Sequence, residues 1–148
     1  MTIPRRLSPP LVPEATFRAL CRARELIHDG YGEPLTVREM ARQAGFSPYH
    51  FLREFQVAFG MTPRQYLTHV RMARAKELLA RSGASVTATC FDVGFSSVGS
   101  FSSLFSKRTG RSPIQYHREI APLVQVPAGL VRVYIPFCFF EHLGPATT

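Results

Sequence analysis

Tryptophan is absent from these 148 residues and lysine is nearly so: sixteen of the eighteen basic residues are arginine. Cysteine occurs three times, at Cys21, Cys90 and Cys138. An odd, scattered set offers neither a disulfide framework nor metal-ligand spacing. No metal and no other cofactor is expected, and the thiols read as reduced, in a cytoplasmic protein. No run of about 18 apolar residues occurs, which excludes a membrane-spanning helix. The opening MTIPRRLSPPLVP lacks the apolar centre of a secretory signal and reads as a flexible arm over residues 1–13. Catalytic constellations are missing too. His28, His50, His69 and His117 are scattered, Gly94-Phe95-Ser96-Ser97 falls short of a nucleophile elbow, and no carboxylates pair on a common face. The chain therefore reads as a non-enzyme.

What is present is positive charge and repetition. The net charge is +8. Residues 1–118 carry 17 basic against 8 acidic side chains, and residues 94–118 hold Lys107, Arg108, Arg111 and Arg118 with no acid. Such a field favours a polyanion. Gly45-Phe46-Ser47 returns as Gly94-Phe95-Ser96, an offset of 49. After the motif the second copy has one extra residue, so Phe51, Phe55 and Gly60 meet Phe101, Phe105 and Gly110, and Pro63-x-Gln65-Tyr66 meets Pro113-x-Gln115-Tyr116. Two copies are too few for a solenoid; they read as two small modules of one design.

Each copy spells helix, tight turn, longer helix. In the first, Thr36 and Glu39 form a capping box, and Val37, Met40, Ala41 and Ala44 follow at helical spacing. Gly45 ends that helix, Ser47-Pro48 starts the next, and Gly60 stops it. The second copy is weaker: Ala88 stands where Glu39 stood, and Thr89 where Met40 stood. Pro63–Arg81 reads as one linker helix capped by Thr62, with Tyr66, Val70, Ala73, Leu78 and Leu79 facing the modules and Arg64, Arg71 and Arg74 facing out. Residues 14–29 form a further helix, turning Phe17, Leu20, Cys21 and Ile27 onto module one. The fold class is all-α. Module one covers about residues 14–62, the linker about 63–81 and module two about 85–118.

On a helical wheel at 100° per residue, Phe51, Phe55, Ala58 and Phe59 make a core stripe. Opposite lie Tyr49, Arg53 and Gln56, with His50 beside them and Leu52 on the border. Arg can bond guanine with two donors, Gln can pair with adenine, and Tyr can stack or pack on a methyl. The same stretch is also what an ordinary wet helix face would hold. In the second copy Gly99, Ser103 and Ser106 occupy those places, with a mid-helix glycine that weakens the helix by about 1 kcal/mol relative to alanine. Short side chains beside Lys107 suit phosphates better than bases.

Two helix-turn-helix modules, A-x-x-x-G-F-S in the first, G-F-S-S in the second and GRSPIQYHR at the end resemble the AraC/XylS family of bacterial transcription regulators. The resemblance covers residues 14–118. It implies an all-α unit of about seven helices and a sequence-specific regulator of double-stranded promoter DNA, most often an activator touching RNA polymerase, with two recognition helices in successive major grooves. It implies base contacts from Tyr49, Leu52 and Arg53, and from Val98, Gly99, Ser102 and Ser103; His50 and Gln56 join them from the wheel. Backbone contacts would come from Thr36, Ser47, Ser85, Ser97, Lys107, Arg108 and Arg111. The family often has Arg at the place of Ser103 and Ile at that of Thr89, so base reading by module two is in question. Most members carry a sensor domain; this chain resembles the short members without one, and a monomer is expected.

Residues 119–148 lie outside that resemblance. GLVRVYIPFCFFEHLG is β-branched and aromatic, and residues 130–135 read as a strand. The tail could be an apolar strap on the helices, a pairing segment for a partner or a second copy, or a link to a sensor domain. A protein-interaction or small-molecule-responsive module acting through this tail is the alternative function. Cys138 and His142 read as packing rather than metal ligands.

Overall fold

The computed structural model describes residues 12–123. Seven helices follow in order: α1 (Glu14–Asp29), α2 (Val37–Ala44), α3 (Pro48–Phe59), α4 (Pro63–Leu79), α5 (Val86–Asp92), α6 (Val98–Thr109) and α7 (Pro113–Ile120). No strand occurs among the described residues, and no helix there is long and apolar enough to cross a membrane. The strand expected over 130–135, Cys138 and His142 lie outside the described residues, as do residues 1–11 of the expected arm. Residue 119 is not yet tail, since α7 runs on to Ile120.

Local chemistry sets most helix boundaries. Thr36, Ser47, Thr62, Ser85, Ser97 and Ser112 each accept a hydrogen bond from the backbone N–H three residues on. Each satisfies one of the donors that a helix start leaves without an intrahelical partner. Pro48, Pro63 and Pro113 occupy the first turn, where a missing N–H costs nothing. Gly45 ends α2 and Gly60 ends α3 in the left-handed region, at φ 76° and 72°. A side chain there would be strained.

The core has two centres. The first gathers Leu20, Ala23 and Ile27 of α1, Met40, Ala41 and Ala44 of α2, Phe51 and Phe55 of α3, and Leu67 and Val70 of α4. The second gathers Met72, Ala75 and Leu79 of α4 with Cys90, Val93, Phe101 and Phe105. The linker is thus a wall of both cores rather than a bare rod. Tyr66 meets Phe55 edge-on at 5.6 Å, and Tyr116 meets Phe105 in the same way at 5.4 Å. The first turn of α4 does for module one what α7 does for module two.

Several expectations need correction. The linker helix ends at Leu79, not Arg81, so it spans 17 residues, about 26 Å. His117 Nδ1 donates to the Leu79 carbonyl at 2.7 Å and so covers one of the acceptors at that end. Leu67, Met72 and Ala75 carry its buried face, while Ala73 and Leu78 are only half-buried. Phe17 is exposed and leans on Phe59 at 6.0 Å, leaving Ala19, Leu20, Ala23 and Ile27 as the buried side of α1. Gly99 sits in the first turn of α6, not its middle. Backbone N–H groups are free there in any helix, and α6 keeps twelve residues. Thr89 is buried at 3%, yet no buried side-chain polar atom among the described residues lacks a partner. Arg71 does not face out; it is half-buried against module one's loop. Arg74 is likewise held, by the Tyr31 hydroxyl and Glu77.

Candidate nucleic-acid interface

Once Phe51 and Phe55 are locked inside, the rest of α3 has no choice of direction. Tyr49 stands 79% exposed, Leu52 is partly exposed, and Arg53 and Gln56 lie open. His50 is exposed too, with its ring edge-on to Phe46 at 4.7 Å. The five residues picked out on this helix therefore share accessible surface. One residue that the wheel passed over belongs with them. Glu54, nearly buried, accepts from Arg53 Nη2 at 3.3 Å and lies 3.5 Å from His50 Nε2. A carboxylate beneath the face steadies the Arg53 guanidinium and the His50 ring and also competes with any anion for Arg53. Its i, i+4 spacing from His50 was the available signal.

The corresponding face of α6 is smaller and shallower. Gly99 and Ser103 are exposed, Ser102 is half-buried, and Val98 packs against the second core. Ser106 turns its hydroxyl back to the Ser102 carbonyl at 2.8 Å. Nothing on this face carries a long donor.

The hydroxyls named as backbone contacts differ in what they have left to give. Thr36 accepts from Glu39 N–H and donates its own proton to Glu39 Oε2 at 2.7 Å. Both functions are spent within the capping box. Hydrogen bonds donated by the Thr36 hydroxyl and then by its backbone N–H hold the Glu39 carboxyl below its ordinary range, so a negative charge already occupies the start of α2. Ser47, Ser85 and Ser97 accept from the amides of His50, Ala88 and Ser100, and a serine hydroxyl in that role still has a proton to donate. Lys107 and Arg108 are exposed in the last turn of α6. Arg111 is instead ion-paired with Glu119 of α7, so it would have to leave a partner to meet a phosphate.

Three further basic groups belong to the same field. Arg38 and Arg42, i and i+4 on α2, are exposed beside the turn at Gly45-Phe46. Lys76 of α4 is half-buried; burial first, and then the nearby Arg108 charge, push its pKa down. The two cations therefore lie close together, a crowding that the charge count could not show. Among the described residues no group of His, Cys, Asp and Glu could hold a metal ion.

The "Helix-turn-helix domain" family model matches residues 40–119, from the core of α2 to the last turn of α7. The chain is 33% identical over 87 residues to the HTH-type transcriptional activator RhaS of Klebsiella pneumoniae, covering 59% of this chain and 31% of RhaS. Solved structures agree in shape. A transcriptional regulator with an AraC-type DNA-binding domain from Chromobacterium violaceum is 27% identical, with TM-score 0.67 over 74% of this chain and 97% of that one. The DNA-binding domain of AdpA, solved in complex with a target DNA, is 28% identical, with TM-score 0.65 over 68% of this chain and 91% of that one. The chain spans less than half the length of the curated relatives it matches first.

Proposed function

Since the chain belongs to the AraC-type helix-turn-helix family of DNA-binding transcription regulators, we propose that it lays α3 and α6 in successive major grooves of promoter DNA with unequal duties. Helix α3 reads bases, through Arg53, Gln56 and Tyr49 with His50 and Leu52 beside them. Helix α6 contributes the shallow Gly99–Ser103 surface, with Val98 and Ser102 at its edge. It mainly seats the protein on the backbone through Ser97, Lys107 and Arg108. Ser47 and Ser85 serve the same end, as do Arg38 and Arg42. Arg111 joins only after exchanging Glu119 for phosphate, and Thr36 acts as a cap rather than a contact.

The single observation behind this reading is the likeness, across both modules, to a domain solved with its target DNA. The exposed Arg53–Gln56 face makes the reading specific. Two recognition helices in one chain supply two half-sites, so a monomer suffices. One turn of B-DNA is about 34 Å, and α4, about 26 Å long, separates the two heads on that scale. Similarity to the transcriptional activator RhaS supports activation; RNA polymerase as the protein partner and the cytoplasm as the location complete the proposal. No catalytic step is assigned to the described residues.

Salt titration tests the reading. Six to ten phosphate contacts predict a loss of about 10³–10⁵ in affinity between 50 and 200 mM salt. Lys107→Ala should make the salt slope shallower by about one unit and leave sequence preference alone. Binding that barely responds to salt would overturn it.

A further inference from the structure

A helix shared by two modules fixes the distance between them but says nothing about what fixes their twist around it. The structure places a specific contact there. Arg71, halfway along α4, reaches back into the loop between α1 and α2. Its Nε donates to the Tyr31 carbonyl at 2.7 Å and its Nη2 to the Glu33 carbonyl at 2.8 Å. The same guanidinium lies over the Phe95 ring of module two, 5.8 Å from its centre. One planar cation thus holds two carbonyls of one module and an aromatic face of the other.

The backbones close in around it. A methyl added at Gly94 would come within 2.8 Å of both Arg71 Nη2 and the Gly32 carbonyl oxygen. One added at Gly32 would come within 2.9 Å of the Asp92 carbonyl oxygen. Gly94 also needs its glycine for its φ of 85°, whereas Gly32 has no positive φ, so at Gly32 space alone excludes a side chain. Tyr31 joins in: its ring packs on both cores and its hydroxyl accepts from Arg74 Nε at 3.0 Å. The loop 31–33, the 92–95 turn and the middle of α4 therefore meet with no slack.

We propose that Arg71, with Gly32 and Gly94, is the positioning element that sets which half-site spacing this protein accepts. The inference rests on the DNA-binding reading above, with α3 and α6 as the two heads. One base pair more or fewer moves a half-site by about 3.4 Å and turns it by roughly 35°. A locked junction cannot follow that change, so the second head must leave its groove. A loose junction can follow part of it. Arg71 touches no DNA in this arrangement; it acts through the twist between modules.

The test uses duplexes in which the two best half-sites are one or two base pairs nearer or farther than the preferred spacing, together with a duplex carrying only the α3 half-site. Wild type should lose about tenfold or more at one base pair off, the size of one lost base contact. Gly32→Ala keeps every donor and wedges the junction; Arg71→Lys keeps the charge and loses the two-carbonyl grip. Both should flatten the spacing profile to within roughly threefold, or move its optimum, while affinity for the single half-site stays within about twofold of wild type. Melting temperature is read alongside, because a merely stabilising Arg71 would lower it and leave the profile unchanged. If either folded variant keeps wild-type spacing discrimination, the proposal is overturned. If wild type itself shows no preferred sequence or spacing, the DNA-reading premise fails first, a distinct result that removes the proposal with it.

Discussion

Module one and module two share a skeleton and differ in nearly everything that faces solvent. Phe51 and Phe55 have their counterparts in Phe101 and Phe105, all fully buried. Tyr66 and Tyr116 seal those pairs with nearly the same edge-on geometry. Outside, Tyr49, Arg53 and Gln56 give way to Gly99, Ser103 and Ser106. At the start of the first helix, Glu39 gives way to Ala88. The two copies keep the buried phenylalanine pairs that make a helix-turn-helix and differ in the exposed side chains that we propose give it a preference. Fold and proposed recognition surface are thus separable: one rests on four phenylalanines, the other on a handful of long polar side chains.

The sharpest way to break this comparison is through its common part. Phe51→Ala and Phe101→Ala should each destabilise the protein by about 3–5 kcal/mol, measured by urea unfolding. A loss under about 1 kcal/mol at Phe101 alone would mean that module two is not built as module one is.

Next comes the divergent part. Arg53→Ala should cost about 1–3 kcal/mol on the preferred duplex and relax base choice under α3. Ser103→Ala should stay within about 0.5 kcal/mol. Equal losses from the two substitutions would erase the division of labour.

The smallest expected effect concerns His28, which only module one possesses through α1. Burial first, then the Arg24 charge, lower its pKa below 6.5, and its ring meets the Tyr66 hydroxyl at 3.1 Å. At mildly acidic pH the unfolded chain therefore binds a proton at this ring more readily than the folded state does. The resulting stability is fully present above pH 6.5 and is lost as pH falls from there toward the lower folded value. Melting curves at pH 7.5 and 5.5 should show a smaller acid loss for His28→Gln than for wild type. An unchanged pH slope would remove His28 from the account.

The starts of α2 to α5 were legible because each is written by a hydroxyl and its partner three residues on, an interaction wholly local in sequence. The two modules were legible for the same reason: their glycines, caps and phenylalanines repeat at fixed spacing. What escaped the sequence came from contacts across the chain. A helical wheel sends Arg71 to solvent because it cannot see carbonyls 38 and 40 residues upstream. Arg111 looks free until α7 brings Glu119 to it. Phe17 looks buried until Ala19 and Ala23 prove to be the side that α2 and α3 press against. The end of α4 was misjudged by two residues because Gly83, the nearest left-handed glycine, lies beyond a turn rather than at the helix end.

Enrichment of bound duplexes from a random pool measures the unequal duties of α3 and α6 most directly. One well-defined box is expected under α3 and, at one fixed spacing about a helical turn away, a weaker second box under α6. Two boxes of equal definition, or a strong box under α6 with none under α3, would contradict that division.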